Sequence, residues 1–345
     1  VPGAAPPAPA FVAVVSEVAY YLSLALPLGM ALTVGYLAIP EDRGGIVSRQ
    51  ARRLALPVAV CVAAAVALRW TTSAASGIGL VQLAGLMLAA IGLVMMGRSA
   101  SRWLAVGVAA VTVVVAVLPE IPLRSPTPDS LARNALTTVH LLGALSWVGG
   151  LVVLAAVGLS RRRSHADDRT NDAAEARATE WAQIWERFSM AALIAVAAVI
   201  VTGVWLAWVH VGTPSQLFTT PYGRYLAIKL VLVVALLAAG GYNTRVVLPK
   251  IRALQQDGDT HGVLHLAARH FPAVVCGEAV IAIGVLAVVP FLRGSARSQA
   301  GWPSAGPFDL SVFGTGVLLL ALVAAAMWAG TRRPVGSPQP STPVP

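Results

Sequence analysis

The chain has 345 residues, of which 57% are hydrophobic and only 12% charged. A water-soluble fold cannot hide that much apolar surface on every side of its helices, so soluble enzymes and polar disordered chains are excluded. The formal charge of +10, from 25 Lys and Arg against 15 Asp and Glu, would suggest a nucleic-acid partner in a soluble domain. Here the basic residues sit mostly at the ends of apolar runs, where membrane topology accounts for them and no nucleic acid is implied.

In chain order, residues 1–10 are rich in proline and alanine and lack a basic leading segment. They read as a flexible N-terminal leader rather than a cleavable signal peptide. Nine apolar runs follow, at 11–38, 54–76, 78–97, 103–119, 131–159, 188–211, 225–247, 271–292 and 309–329. Their length, about 20 residues, matches what a helix needs to cross a hydrocarbon core. Backbone groups in that medium must be hydrogen-bonded internally, which favours helices. The expected fold is an all-α, polytopic integral membrane bundle of about nine transmembrane helices.

The runs divide unevenly. Residues 11–119 predict a four-helix membrane region with short loops and few polar side chains. A Pro-rich external connector, 120–130, leads to a second four-helix membrane domain, 131–293, which holds most of the intramembrane polar groups. The ninth helix, 309–329, is a plain hydrophobic anchor, and the Pro/Ser-rich tail 334–345 is expected to be disordered. The longest inner loop, 160–187, contains Trp181 and Trp185, and its second half predicts an amphipathic helix lying in the interface. Cys61 and Cys276 both lie inside apolar runs, which speaks against a disulfide framework.

Counting Lys and Arg on alternate sides puts 18 on one side and 7 on the other. The positive-inside rule then places the N-terminus outside and the C-terminus inside. A lipid bilayer is the expected surrounding.

Ionisable groups within a membrane are costly and usually face the bundle interior, so each is a functional lead. Glu17, His140, His210 and Lys229 all lie toward the external face. Positions 140, 143, 144, 147 and 150 are His, Gly, Ala, Trp and Gly, one helical stripe that joins a ligand-capable imidazole to small residues. Imidazole suits copper, zinc or haem iron, a carboxylate can complete a harder site, and thioethers suit Cu(I). The expected metal site is His140 with Glu17 or His210, with Met30 and Met87 near mid-depth as softer ligands further inward. The plainer alternative is a histidine satisfied by a neighbouring carbonyl, with methionines filling gaps and Glu17 paired with Lys229. Glu278 is expected to pair with Arg245 or Arg187. His261 and His265, one helical turn apart and followed by His270, form a weak metal-chelating pattern. No phosphate-cradling loop, Ser/His/Asp arrangement or HExxH occurs, so no enzymatic turnover is expected.

Several ordered stretches resemble the copper resistance D (CopD) family of bacterial inner-membrane proteins. They are His140-Leu-Leu-Gly-Ala-Leu-Ser-Trp147-Val-Gly-Gly150, Arg187-Phe-Ser189, Thr202-Gly203-Val-Trp205, Thr220-Pro-Tyr222-Gly223 through Lys229, and Gly241-Tyr-Asn243 through Pro249. Glu278 and Pro290 complete the set, so the resemblance covers about 131–293. It implies copper transport or supply across the cytoplasmic membrane, often with a periplasmic CopC-like copper-binding partner. It also implies that His140 is a candidate copper ligand. The external loops lack a Met/His-rich capture segment, so a separate protein would have to deliver the metal. Two other functions remain open from sequence: a redox protein binding haem b through intramembrane histidines, and a structural or assembly subunit of a larger membrane complex.

Overall fold

A computed structural model describes residues 6–38, 45–72, 77–99, 101–121, 127–162, 171–257 and 271–329. The C-terminal tail and the histidines at 261, 265 and 270 lie outside the described residues. The described residues form helices and no strand. Eight helices are long and apolar enough to cross a membrane: Phe11–Leu37, Val47–Trp70, Gly77–Arg98, Arg102–Glu120, Pro128–Ser160, Gln183–His210, Pro221–Val247 and Val274–Phe291. A ninth apolar helix, Leu310–Ala325, is shorter. Each coincides with one of the nine runs read from the sequence, and the protein is a polytopic helical membrane bundle.

The helices are α1 (Phe11–Leu32, extended by a π turn at Thr33–Leu37), α2 (Ile46–Thr72), α3 (Gly77–Arg98), α4 (Arg102–Val117) and α5 (Pro128–Arg162). Then come α6 (Asn171–His210), the short α7 (Gln216–Thr219), α8 (Pro221–Tyr242), a π turn at Asn243–Val247, and α9 (Leu248–Gln256). The last three are α10 (Phe271–Val288), the short α11 (Ala296–Gln299) and α12 (Leu310–Ala329). Arg49, Arg52, Arg53, Arg98, Arg102, Arg187 and Arg245 gather at one end of the bundle, the basic end; the opposite one is the far end.

The bundle is organised around α5, whose apolar stretch is 61% buried, against 6% for α8. It packs against α1, α6 and α10, while α12 lies along α6. Glycine makes the tightest of these crossings possible. A Cβ on Gly149 of α5 would collide with the Ala25 carbonyl of α1, and one on Gly29 would collide with the Gly149 backbone. Lipid supplies no hydrophobic drive between helices, so such backbone-to-backbone contact is a main source of cohesion. The stripe proposed from sequence is inward-facing: Gly143 lies against Ala195, Ala198 and Val199 of α6, and Gly150 against Phe188 and Leu32.

Polar contacts tie the ends. At the basic end, the Glu180 carboxylate accepts the Val47 backbone N–H at 3.1 Å, placing a negative charge at the start of α2. Arg187 donates to the Leu37 carbonyl at 3.2 Å, where α1 ends. The stretch before the sixth span is helical as expected, but it is not a separate interfacial helix: α6 is continuous from Asn171, and Trp181 and Trp185 are buried in the core. Burying two indoles against the basic ends of the other helices removes more apolar surface than laying them along a headgroup layer. At the far end, Arg297 donates twice to the Trp208 carbonyl, at 3.1 and 3.0 Å, and the Tyr222 N–H donates to Gln299 at 3.0 Å. Asp129, ion-paired to Arg133 at 2.8 Å, accepts the Phe308 N–H, which ties the start of α5 to the entry of α12.

Candidate functional site

His140 lies twelve residues into α5, on the face that meets α6. Gly203 of α6 gives it room: a Cβ there would stand 3.3 Å from the imidazole Cε1. One turn of α6 supplies the polar partners. Nδ1 of His140 lies 3.1 Å from the Thr202 hydroxyl oxygen, and the ring also has the Val199 carbonyl as a hydrogen-bond partner. The Thr202 hydroxyl spends its own proton on the Ala198 carbonyl, at 2.6 Å. It is therefore left to accept, and Nδ1 must carry the proton. A neutral imidazole has a single N–H, here shared between Thr202 and the Val199 carbonyl, so the Nε2 lone pair is left over. One ring nitrogen is thereby oriented so that the other can bind.

Lys229 of α8 is near enough for its charge to act on His140. It makes no hydrogen bond or ion pair among the described residues. Glu17 and Lys229 therefore do not neutralise each other; Glu17 instead lies beside Tyr21 on α1.

His210 sits elsewhere. Its Nδ1 donates to the Leu206 carbonyl at 2.8 Å and its ring stacks on Tyr222, with centroids 5.6 Å apart and planes 9° from parallel. Nε2 is thus free there too. Thr202 and Gly203, which mark the level of His140, are eight and seven residues back along α6, about 10–12 Å at the helical rise. The two imidazoles are not brought together.

The methionines also part company. Met30 is fully buried in the core beside the Gly29 crossing, whereas Met87 is 40% exposed on the outward face of α3. Among the described residues no three His, Cys, Asp or Glu side chains cluster at metal-holding distance.

A second intramembrane polar pair lies near the basic end. The Asn243 amide of the π turn donates to Glu278 of α10 at 2.7 Å, with both residues buried. The carboxylate thus pairs with an amide and not with Arg245 or Arg187, as the sequence suggested. Arg245 stands two residues further along the turn and faces a groove lined by Leu193, Leu237, Leu320 and Ala324. Neither Cys276, two residues before Glu278, nor Cys61 takes part in a disulfide.

Sequence reasoning quoted Thr202, Gly203 and Asn243 as motif positions without giving them roles. The available signal was their type: a hydroxyl beside a glycine, and an amide, in runs otherwise apolar.

The fold is thus a multi-pass membrane bundle that holds a hydrogen-bonded imidazole and a buried carboxylate–amide pair within its spans. Residues 182–292, about a third of the chain, match the family model of copper resistance protein D, CopD. That segment runs from α6 to the end of α10 and includes Thr202, Gly203, Lys229, Asn243 and Glu278. His140, on α5, precedes it, so the matched segment supplies the seat of the imidazole and not the imidazole itself. No curated protein and no solved structure matches the chain.

Proposed function

We propose that the protein moves or supplies copper across the bacterial cytoplasmic membrane, the metal entering from the far end and meeting the Nε2 of His140. The observation that carries this reading is the seat of that ring. The part of α6 that lies in the matched segment accepts the Nδ1 proton at the Thr202 hydroxyl, which leaves the Nε2 lone pair for a metal. Glu17, His210, Met30 and Met87 complete the set of ligands considered. Of these, His210 with its free Nε2 suits a separate stop nearer the far end, and Met30 lies in the core. Met87, on the lipid-facing side, is the weakest member.

Copper here is cargo, and no enzymatic step is required. A CopC-like periplasmic protein is the partner that fits a chain whose external loops hold no capture segment. The basic end lies in the cytoplasm in this reading. Bis-histidine ligation of haem b would need a second imidazole opposite His140, and among the described residues His210 is held elsewhere, against Leu206 and Tyr222.

His140→Ala should abolish copper-dependent accumulation in cells while leaving the protein in the membrane at wild-type level, as read by metal analysis and immunoblotting of membranes. Unchanged copper accumulation by that variant would falsify the assignment. An absorption spectrum of the purified protein separates the alternatives, because a Soret band marks haem.

A further inference from the structure

We propose that Glu278 and Asn243 form a proton-binding site near the basic end of the bundle, separate from the His140 seat. Asn243 lies fourteen residues beyond Lys229 on one continuous helical run, about 20 Å along its axis, so the two sites do not touch.

The donor count leads to it. An ionised carboxylate only accepts hydrogen bonds, and an amide offers two donors and one acceptor. The Asn243 Nδ2 group gives one hydrogen to Glu278 Oε1, yet the Asn243 Oδ1 is sealed from the surface with no partner. A buried carbonyl oxygen with no donor is an expensive arrangement in a low-dielectric interior. Glu278 supplies the missing donor as soon as it takes up a proton. The carboxyl O–H then donates to Oδ1 once the two groups turn edge to edge, with Nδ2 keeping its bond to the other carboxyl oxygen. The same two side chains are bonded in either protonation state. The proton comes from water at the basic end and returns there, with no other atom transferred. The second Glu278 oxygen has no hydrogen bond and is not among the sealed atoms, so it keeps an opening for exchange.

The surroundings leave the pair to itself. Among the described residues the hydrogen bond of Glu278 is the one from the Asn243 amide. On α5 no titratable residue occurs between His140 and Arg161, and on α1 none between Tyr21 and Tyr36. On α10 itself the near neighbour is the Cys276 thiol. On the α8 side, Tyr242 is 57% exposed and Arg245 faces the groove toward α6 and α12. Local backbone geometry agrees: Asn243 opens a π turn, an irregularity that recurs at functional sites because it re-aims one side chain. Ionisable residues held inside a membrane without an opposite charge are typical of proton relays. If copper is the cargo, as proposed above, this site offers the counter-charge for its movement.

The test is infrared difference spectroscopy of the full chain in lipid nanodiscs between neutral and acid pH. Wild type should show a carboxylic-acid C=O band that grows as pH falls. Glu278→Gln should lose that band, and Asn243→Leu, of similar volume, should shift its frequency and its midpoint. A band identical in wild type and Glu278→Gln overturns the site, and so does a band unmoved in Asn243→Leu. Should Glu278→Gln fail to insert, Glu278→Asp keeps a carboxyl at shorter reach and must shift the band. His140→Ala, titrated with Cu(I), keeps the two readings apart: it should lose copper and keep the band.

Discussion

The two faces of α5 both depend on glycine, to different ends. Toward α1, Gly149 brings backbone against backbone, and the crossing is filled by main-chain atoms of Ala25 and Gly29. Toward α6, Gly203 leaves a space that backbone does not fill, and the His140 ring occupies it. The first contact is cohesion in a solvent that provides no hydrophobic drive. The second trades that cohesion for an oriented polar group, whose cost in the membrane is offset by the Thr202 hydroxyl and the Val199 carbonyl. A small residue in a transmembrane helix therefore has no single meaning; what enters its space decides.

The largest expected effect breaks the cohesive face. Gly149→Leu forces side-chain atoms into the Ala25 carbonyl, and a main chain cannot rotate away as a side chain can. The loss should exceed about 3 kcal/mol, the upper end of ordinary overpacking, and the variant should fail to give a monodisperse peak after detergent extraction. Gly240→Ala, on α8 where a Cβ meets nothing within 4 Å, should behave as wild type in the same assay.

The polar face should separate binding from folding. Thr202→Val removes the acceptor that holds the proton on Nδ1, so copper affinity should fall about tenfold, in keeping with one lost buried hydrogen bond. Thr202→Ser should restore it. Equal loss in both variants would show that Thr202 acts through packing and not through its hydroxyl. A smaller effect is expected for Gly203→Ala. Its added methyl would press on the ring at 3.3 Å from Cε1 and should weaken copper binding a few-fold, with little change in melting temperature.

Smallest of all is an effect at the far end, outside the spans. Asp309 caps the start of α12, and its bonds from the Ser311 hydroxyl and from the Ser311 and Val312 backbone hold its carboxyl below the usual aspartate range. Because the folded value lies below the unfolded one, the stabilisation is present at neutral pH and disappears as pH falls through the folded value. Asp309→Asn should therefore melt slightly lower than wild type at neutral pH, and the two curves should merge in acid. A gap that persists in acid would assign the effect to something other than the charge.

Composition and run length were enough to read the bundle, because a helix crossing lipid must be apolar throughout and of a set length. The same logic picked out His140, since an imidazole inside such a run is rare and costly. The limit came with direction. Met30 and Met87 look alike in sequence, yet one is sealed in the core and the other faces outward, because a run that is apolar all round carries no stripe to say which side meets a neighbour. Trp181 and Trp185 were read as interfacial because they stand in a charged, amphipathic stretch, and the packing of α6 buried them.

Amino-acid order alone thus determined that this chain is a bundle of membrane-length helices and which of its residues are out of place there. Partnership was decided only in three dimensions: Thr202 beneath His140, Asn243 in place of an arginine beside Glu278, and Gly149 against Ala25. Burial cost is a property of one residue and can be read from its type. A hydrogen bond or a close crossing is a property of two, and helix rotation, including the one-residue shift of a π turn, sets which two they are.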